Sequence, residues 1–294
     1  MENGYGLLDQ SQAEEPGDEW EEIDVSDTEA DQIARKRDRE FNEFRKRIKD
    51  ADQFKVAESV FDEATFAALY RLVQGGIIDA FGGPVSTGKE ANVYTARAGK
   101  HAQEKLETDD TEIAVKIYRI SASDFTDMRD YLVGDPRFEE LGDKKRIVLA
   151  WTRKEFANLK RARKAGVRVP QPLAVERNVL AMEFIGKGTS RAKRLDEVNV
   201  ENPQTAYEVV REYIRRLYDA GLVHGDLSEY NLLFHRGQIV VIDVGQAVTI
   251  HHPNAEEFLK RDCENIASFF SRQGYSVTGN ELVSYIREHA DPYP

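Results

Sequence analysis

Cysteine is almost absent from this chain: Cys263 is the only one in 294 residues. No internal disulfide can form, and no zinc centre can be built on clustered thiolates. A reducing, cytoplasmic setting is therefore the expectation. Apolar runs of about eighteen residues are also missing, which rules out a membrane-spanning helix. The opening residues, MENGYGLLDQ, carry neither a basic n-region nor an apolar h-region, so no secretory signal is expected there. Residues 1–34 lack Lys and Arg altogether and hold twelve acids. The remainder has 41 acids against 41 bases, so the whole net charge of −12 belongs to this first segment. It cannot bury enough apolar surface to order itself and reads as a disordered acidic tail. An interaction arm, a solubilising tail and an acid-rich habit of salt-adapted cells all account for it.

With 40% hydrophobic and 32% charged residues, the rest has room for one large domain or two modest ones. RKRDREFNEFRKRIKD, residues 35–50, places Phe41, Phe44 and Ile48 at helical spacing among eight bases and four acids. It reads as a basic amphipathic helix that either docks on RNA phosphates or folds back on the acidic tail. A helix from about Asp62 to Gln74 ends at Gly75-Gly76. IIDAFGG, a glycine turn over Gly82–Glu90, ANVYTAR and TEIAVKIYRI then predict a three-stranded meander. Residues 121–145 lose periodicity and read as a mobile insertion. WTRKEFANLKRARKAG predicts a helix stopped by Gly166, and RVPQPLAVERNVLAMEFIG two further strands. ENPQTAYEVVREYIRRLYDAG predicts a helix with a Val209, Tyr213 and Leu217 stripe, ended by Gly221. QIVVIDV is an apolar strand running into Asp243, and two closing helices follow. Strands gather before about Gly186 and helices after it, which predicts an α+β fold of two lobes. The expected divisions are a tail at 1–34, a basic extension at 35–54, a strand-rich lobe at 55–185 and a helical lobe at 186–294.

Three places carry chemistry. Gly83, Gly88 and Lys89 have P-loop spacing, but Glu90 stands where a magnesium-binding Ser or Thr belongs, and a strand follows where a P-loop opens a helix. The small residues still free backbone N–H groups to face phosphate oxygens. Lys116 sits inside the apolar strand AVKIY and must either reach solvent or find a carboxylate, with Glu155 the available partner. His224 to Asn231, HGDLSEYN, forms a loop in which Asp226 can meet a substrate hydroxyl while Asn231 offers an amide oxygen to a metal. Asp243, twelve residues on, adds a second hard oxygen ligand suited to Mg²⁺. A phosphate cradle, a lysine, metal ligands and an aligning carboxylate together make the kit for phosphoryl transfer.

The order of these pieces is that of protein kinases, with Ala114-Val115-Lys116, HGDLSEYN and Asp243-Val244-Gly245 in the positions of V-A-I-K, H-R-D-L-x-x-x-N and D-F-G. The departures are a glycine loop without G-x-G-x-x-G, Gly225 in place of arginine, Ser228 in place of lysine, and no A-P-E motif. STGKEANVY (Ser86 to Tyr94), HGDLSEYN, IDVGQ and Lys260-Arg261-Asp262-Cys263 resemble the RIO family of atypical serine/threonine protein kinases, in its type-one branch. The likeness covers roughly residues 55–285, and Gly245 departs from the serine usual there. It implies a two-lobed protein-kinase-like fold lacking the activation segment and the peptide-binding subdomain.

Carried across, the resemblance implies that Asp226 is the catalytic base and that Asn231 and Asp243 bind Mg²⁺. Lys116 would hold the ATP phosphates and pair with Glu155. Ser86, Thr87, Gly88 and Lys89 would cover the triphosphate, with Val93 beside them. Met182 would back the adenine pocket, and the backbones of Glu183 and Ile185 would bind adenine. It further implies an aspartyl-phosphate on Asp243 and an ATPase switch. Its partners would be the maturing small ribosomal subunit and its rRNA, and protein serines including Ser121 and Ser123 of the chain itself, with no membrane. Two other readings stand beside it. A P-loop NTPase would use GGPVSTGK with IVVID as its Walker B strand but leaves HGDLSEYN and Lys116 idle. A catalytically silent RNA-binding scaffold would have no reason to keep Lys116, Asp226, Asn231 and Asp243.

Overall fold

A computed structural model of the chain describes residues 62–106, 110–120, 128, 131 and 144–292. The acidic tail, the basic helix at 35–50, most of the insertion and both Ser121 and Ser123 lie outside the described residues. Helix α1 (Glu63–Gln74) begins at Asp62, whose carboxylate accepts the Thr65 amide at 2.8 Å and so satisfies one of the orphan donors of the first turn. Strands β1 (Ile78–Thr87) and β2 (Ala91–Ala98), the short helix α2 (Lys100–Lys105) and β3 (Glu112–Tyr118) follow. Helix α3 (Lys144–Lys164) leads to β4 (Pro172–Glu176) and β5 (Val179–Glu183).

These strands form one antiparallel sheet in the order β1-β2-β3-β5-β4. Side-chain alternation divides its residues cleanly between two faces. Ile113, Val115, Ile117, Val179 and Ala181 pack under Phe66, Leu69 and Leu72 of α1. Lys116, Tyr118, Leu180 and Met182 point the other way, toward α3 and the rest of the chain. A strand lysine is thereby delivered to an interior cleft by period alone.

The chain then makes three short strands, β6 (Gly186–Lys187), β7 (Ser190–Arg191) and β8 (Lys193–Arg194), before helix α4 (Pro203–Asp219). After α4 come β9 (Leu222–Val223), β10 (Leu232–His235), β11 (Gln238–Val241) and β12 (Val248–Thr249), and last α5 (Ala255–Arg272) and α6 (Gly279–His289). The predicted stripe of α4 is buried: Val209, Tyr213 and Leu217 join Ile266, Phe270, Leu282 and Ile286 in one core. Eleven residues, Val244 to Asn254, separate Asp243 from α5, too few for an activation segment. The fold is α+β, with a β-sheet lobe followed by a helical region. No helix among the described residues is long and apolar enough to cross a membrane.

Three expectations need correction. The predicted turn over Gly82–Glu90 is mostly strand: β1 runs on to Thr87, with register shifts around Pro84, and only Gly88 to Glu90 turn. Pro84 is tolerated because β1 is an edge strand and the ladder is irregular at that point. Helix α3 starts at Lys144, not Trp151, because Val148, Leu149, Thr152, Glu155 and Leu159 keep a buried face at helical spacing. Strand β11 stops at Val241, before Asp243, whose φ of 60° turns the chain out of the ladder.

Gly99 shows how tightly the outer corner of the sheet is packed. A Cβ there would lie 2.3 Å from the carbonyl oxygen of Gly76, in the turn between α1 and β1. Gly99→Ala should therefore lower unfolding free energy by about 1–3 kcal/mol through forced separation of two backbones. A urea midpoint equal to that of the parent would show that the turn yields freely.

Candidate active site

Lys116 is the centre of the cleft. Its Nζ lies 2.8 Å from Glu155 Oε1 and 2.9 Å from Asp243 Oδ1. The side chains are 11%, 1% and 53% exposed respectively, so a buried cation joins a buried anion to one at the open floor of the cleft. Burial works against the charged ammonium, but Asp243 and Glu155 outweigh it and hold the Lys116 pKa well above its usual value. Lys116 in turn lowers the pKa of Asp243 against its own desolvation, keeping that carboxylate ionised. Tyr118 completes the cluster. Its hydroxyl donates to Glu155 Oε2, and Lys116 Nζ stands 5.0 Å from its ring centre. Burial first, and the neighbouring Glu155 second, push the phenol pKa well up, so it acts as a donor.

Sheet register explains which predicted residues share this face. Ser86 pairs with Val93, Val93 with Lys116 and Lys116 with Leu180, one row across four strands, while Met182 stands opposite Ala114 on the same face. Thr87, paired with Asn92, alternates to the other face. Gly88 and Lys89 form the exposed turn beyond it. Glu183, the last residue of β5, is held by Arg168 through two contacts at 2.8 and 2.5 Å before the chain crosses to the helical region. The Glu183 amide donates to Gln171 O, and the Ile185 carbonyl accepts from Ala192. Arg236 reaches back from the β10–β11 turn to Asp110 with two bonds of 2.8 Å.

Opposite the sheet lies the loop His224–Asn231. Asn231 Nδ2 donates to the Asp226 carbonyl at 2.8 Å, with the Asp226 carboxylate at 3.4 Å. Burial raises the Asp226 pKa, and the nearby Asp243 charge adds to the rise. His224 Nδ1 accepts the Asp226 amide at 3.4 Å, and its Nε2 lies 3.1 Å from the Ile242 carbonyl, so one imidazole spans both acid-bearing segments. Asp262 of α5, 1% exposed, accepts the amides of Gly225 and Leu227 at 2.8 Å each. Gly225 itself has φ of 81°, and a Cβ would meet the Gln246 carbonyl at 3.1 Å, which accounts for glycine at this place.

Helix α3 holds the Asp243 segment from behind. Lys154 Nζ donates to Gly245 O at 3.1 Å, and Asn158 Nδ2 to Val244 O and Ala247 O at 3.0 Å. A Cβ at Gly245 would come 2.9 Å from Trp151 Nε1, so the residue that departs from the usual serine fits a tight wall. Reading the sequence alone missed Tyr118, Lys154 and Asn158 and gave Asp262 no task. Signals were present. Tyr118 is two residues from Lys116 on the same strand face, and Lys154 and Asn158 lie one before and three after Glu155 on its helix. The P-loop alternative fails here, since β2 and not a helix follows Lys89.

No group of three or more His, Cys, Asp or Glu side chains among the described residues could hold a metal. Mg²⁺ bound through one or two protein oxygens and substrate phosphates needs no such cage. The donors fit that pattern: an ionised Asp243 carboxylate and an Asn231 amide whose nitrogen is already engaged by Asp226.

Asp262 generates a pH prediction. Burial pushes its carboxyl up to about 6, against the pull of two N–H donors. Between the unfolded value of 3.8 and about 6 the native chain holds more protons than the unfolded one, so this group's stabilising contribution falls as pH rises through that window. The difference in unfolding free energy between the parent and Asp262→Asn should shrink by an amount on the order of 3 kcal/mol from pH 4 to 7. A pH-independent difference would contradict the assignment. Amide exchange at Gly225 and Leu227 should accelerate in Asp262→Ala at any pH.

The RIO domain family model matches residues 92–282. The RIO-type serine/threonine-protein kinase Rio1 of Haloferax volcanii is 66% identical over 287 residues, covering 97% of this chain and 96% of that protein. The corresponding Rio1 of Methanocaldococcus jannaschii is 36% identical, with 89% and 87% covered. Among solved structures, the Rio2 kinase–ADP/Mg²⁺–phosphoaspartate complex of Chaetomium thermophilum superposes with a TM-score of 0.55 at 24% identity, over 74% of this chain and 65% of that one. The chain belongs to the RIO family of serine/threonine-protein kinases, in its type-one branch.

Proposed function

We propose that this chain transfers the γ-phosphoryl group of ATP through the Lys116–Glu155–Asp243 cluster and the facing Asp226–Asn231 pair, with residues 55–185 and 186–294 as its lobes. One observation carries the reading: a buried lysine bonded at once to a helix glutamate and to a cleft-floor aspartate. Lys116 would meet the α- and β-phosphates, with Glu155 and Tyr118 fixing its reach. Ser86, Gly88 and Lys89, with only the backbone of Thr87 between them, would lie over the triphosphate, and Val93 and Met182 would line the base pocket. With the Glu183 amide and the Ile185 carbonyl already engaged, adenine would be read by the Glu183 carbonyl and the Ile185 amide. Asn231 and Asp243 would hold Mg²⁺, which when bound neutralises charge on the phosphate oxygens.

Two carboxylates with opposite shifts offer two acceptor routes. In one, Asp226 orients a protein serine hydroxyl and takes its proton, with Ser121 and Ser123 as candidate sites in the chain itself. In the other, an Asp243 oxygen attacks the γ-phosphorus, the bond to ADP breaks, and water later hydrolyses the acyl-phosphate. The second route suits a fold without a peptide platform and has its chemical precedent in the phosphoaspartate of the Rio2 complex. It makes the chain an ATPase switch. We place that switch in cytoplasmic maturation of the small ribosomal subunit, with the basic segment at 35–50 as an rRNA contact. The support for this setting is the family resemblance and the charge of that segment.

Single-turnover reaction with γ-labelled ATP separates the routes. Label that is lost in hydroxylamine and absent from Asp243→Ala is the expected result for the switch. Alkali-stable label on serine would assign ordinary kinase chemistry instead. Asp226→Ala should lower turnover at least a hundredfold, and unchanged turnover would remove Asp226 from the reaction.

A further inference from the structure

Between Ile120 and α3 the described residues are Met128 and Tyr131. Met128 is buried in a cluster with Tyr118, Val148 and Trp151. Tyr131 reaches further. Its ring stacks on Phe258 of α5 at 5.1 Å and meets Trp151 of α3 edge-on at 6.0 Å. Its hydroxyl lies 3.3 Å from Arg261 Nη2, and the same nitrogen donates to the Gly225 carbonyl. The ring also lies against the loop itself, since a Cβ on Gly225 would come within 3.6 Å of Tyr131 Cε1. Lys154 Nζ, which donates to Gly245 O, stands 5.9 Å from the ring centre. One aromatic side chain therefore connects α3, α5 and both acid-bearing loops.

Position 225 is where the protein-kinase string has an arginine, and here φ and packing exclude a side chain. Arg261 supplies a guanidinium to the same backbone from α5 instead; it lies over the Phe258 ring at 4.9 Å, and Tyr131, stacked on that ring, reaches it through the hydroxyl. The eleven residues between Asp243 and α5 offer no activation segment to support the loop from outside. We propose that Tyr131 is a positioning residue for phosphoryl transfer, fixing the Arg261–Gly225 contact and with it the backbone that carries Asp226. Stacking does most of this, because the aromatic contacts hold the ring between two helices while the hydroxyl makes one long bond. The inference rests on the reading of Asp226 as the catalytic carboxylate.

The test uses the full chain with Tyr131→Ala, Tyr131→Phe and Asp226→Ala side by side. Expected for Tyr131→Ala is a fall in kcat of at least tenfold with KM for ATP within threefold, because the Lys116 cluster is untouched. Amide exchange should quicken at Gly225–Leu227 and stay unchanged in β3. Tyr131→Phe, which keeps the stacking, should restore most of the rate. An unchanged kcat in Tyr131→Ala beside an inactive Asp226→Ala overturns the proposal and leaves the reading of Asp226 standing. Loss of exchange protection throughout the chain, with no rescue by phenylalanine, also overturns it, since Tyr131 would then serve folding alone. Full activity in Asp226→Ala would overturn both.

Discussion

A lysine ammonium inside an apolar strand is tolerated only if anions come to it, and most of this molecule can be understood as bringing them. Unpaired, the Lys116 charge would lose several kcal/mol of solvation. Glu155 arrives from α3 and Asp243 from the turn that follows β11, both within 3 Å of the nitrogen. Those two residues lie 39 and 127 positions away in sequence, so the pairing exists only when sheet, helix and C-terminal strand pair are all assembled. Breaking the pair would leave a buried charge stranded, whereas its presence adds little to net stability. The arrangement is a specification of geometry more than a source of stability.

Helix α3 is the element that converts this constraint into a site. Glu155 faces the sheet, while Lys154 and Asn158 on the adjoining faces donate to three carbonyls of residues 244–247. The segment that carries Asp243 is thus held by buried side chains rather than by its own secondary structure. Asp262 does the same for the opposite loop from α5, accepting two amides that no strand or helix satisfies. Both loops are irregular backbone in the interior, and both are kept there by side-chain partners from helices. In a kinase with an activation segment, order in these loops is imposed from outside. Here it is built into the core, which leaves little for an external segment to do.

What the sequence revealed and what it withheld follow the same division. The apolar run AVKIY marked a strand whose one lysine needed either solvent or a carboxylate, and the helical stripe of Val209, Tyr213 and Leu217 located the second core, because both depend on local order. Glu155 could be paired with Lys116 because buried charges seek opposites. Tyr118, Lys154 and Asn158 escaped because each looks unexceptional where it stands: a strand tyrosine, and a helix lysine and asparagine whose partners are backbone carbonyls some ninety positions away. Backbone acceptors carry no residue identity, so no spacing in the sequence announces them. The turn over Gly82–Glu90 was misjudged for the converse reason. Glycine and proline are turn signals locally, but an edge strand with bulges accommodates them once β2 supplies the ladder.

The two cleft aspartates show how one fold separates similar groups. Asp243 sits against Lys116, so its negative charge is stabilised and its proton leaves easily. Asp226 is partly withdrawn from solvent and stands near that same negative charge, and both influences favour its protonated form. A metal ligand or nucleophile must be anionic at all times, whereas a group that takes up a proton during the reaction benefits from a raised affinity for it. The direction of each shift matches the role proposed for that residue, and the difference arises because the Lys116 ammonium bonds Asp243. Asp243 holds the side that contacts the ammonium because its left-handed backbone turns it off β11 toward the sheet. The loop that carries Asp226 is anchored instead from α5, through Asp262. Chemical asymmetry in the cleft therefore descends from two backbone anchors, one helix to each loop.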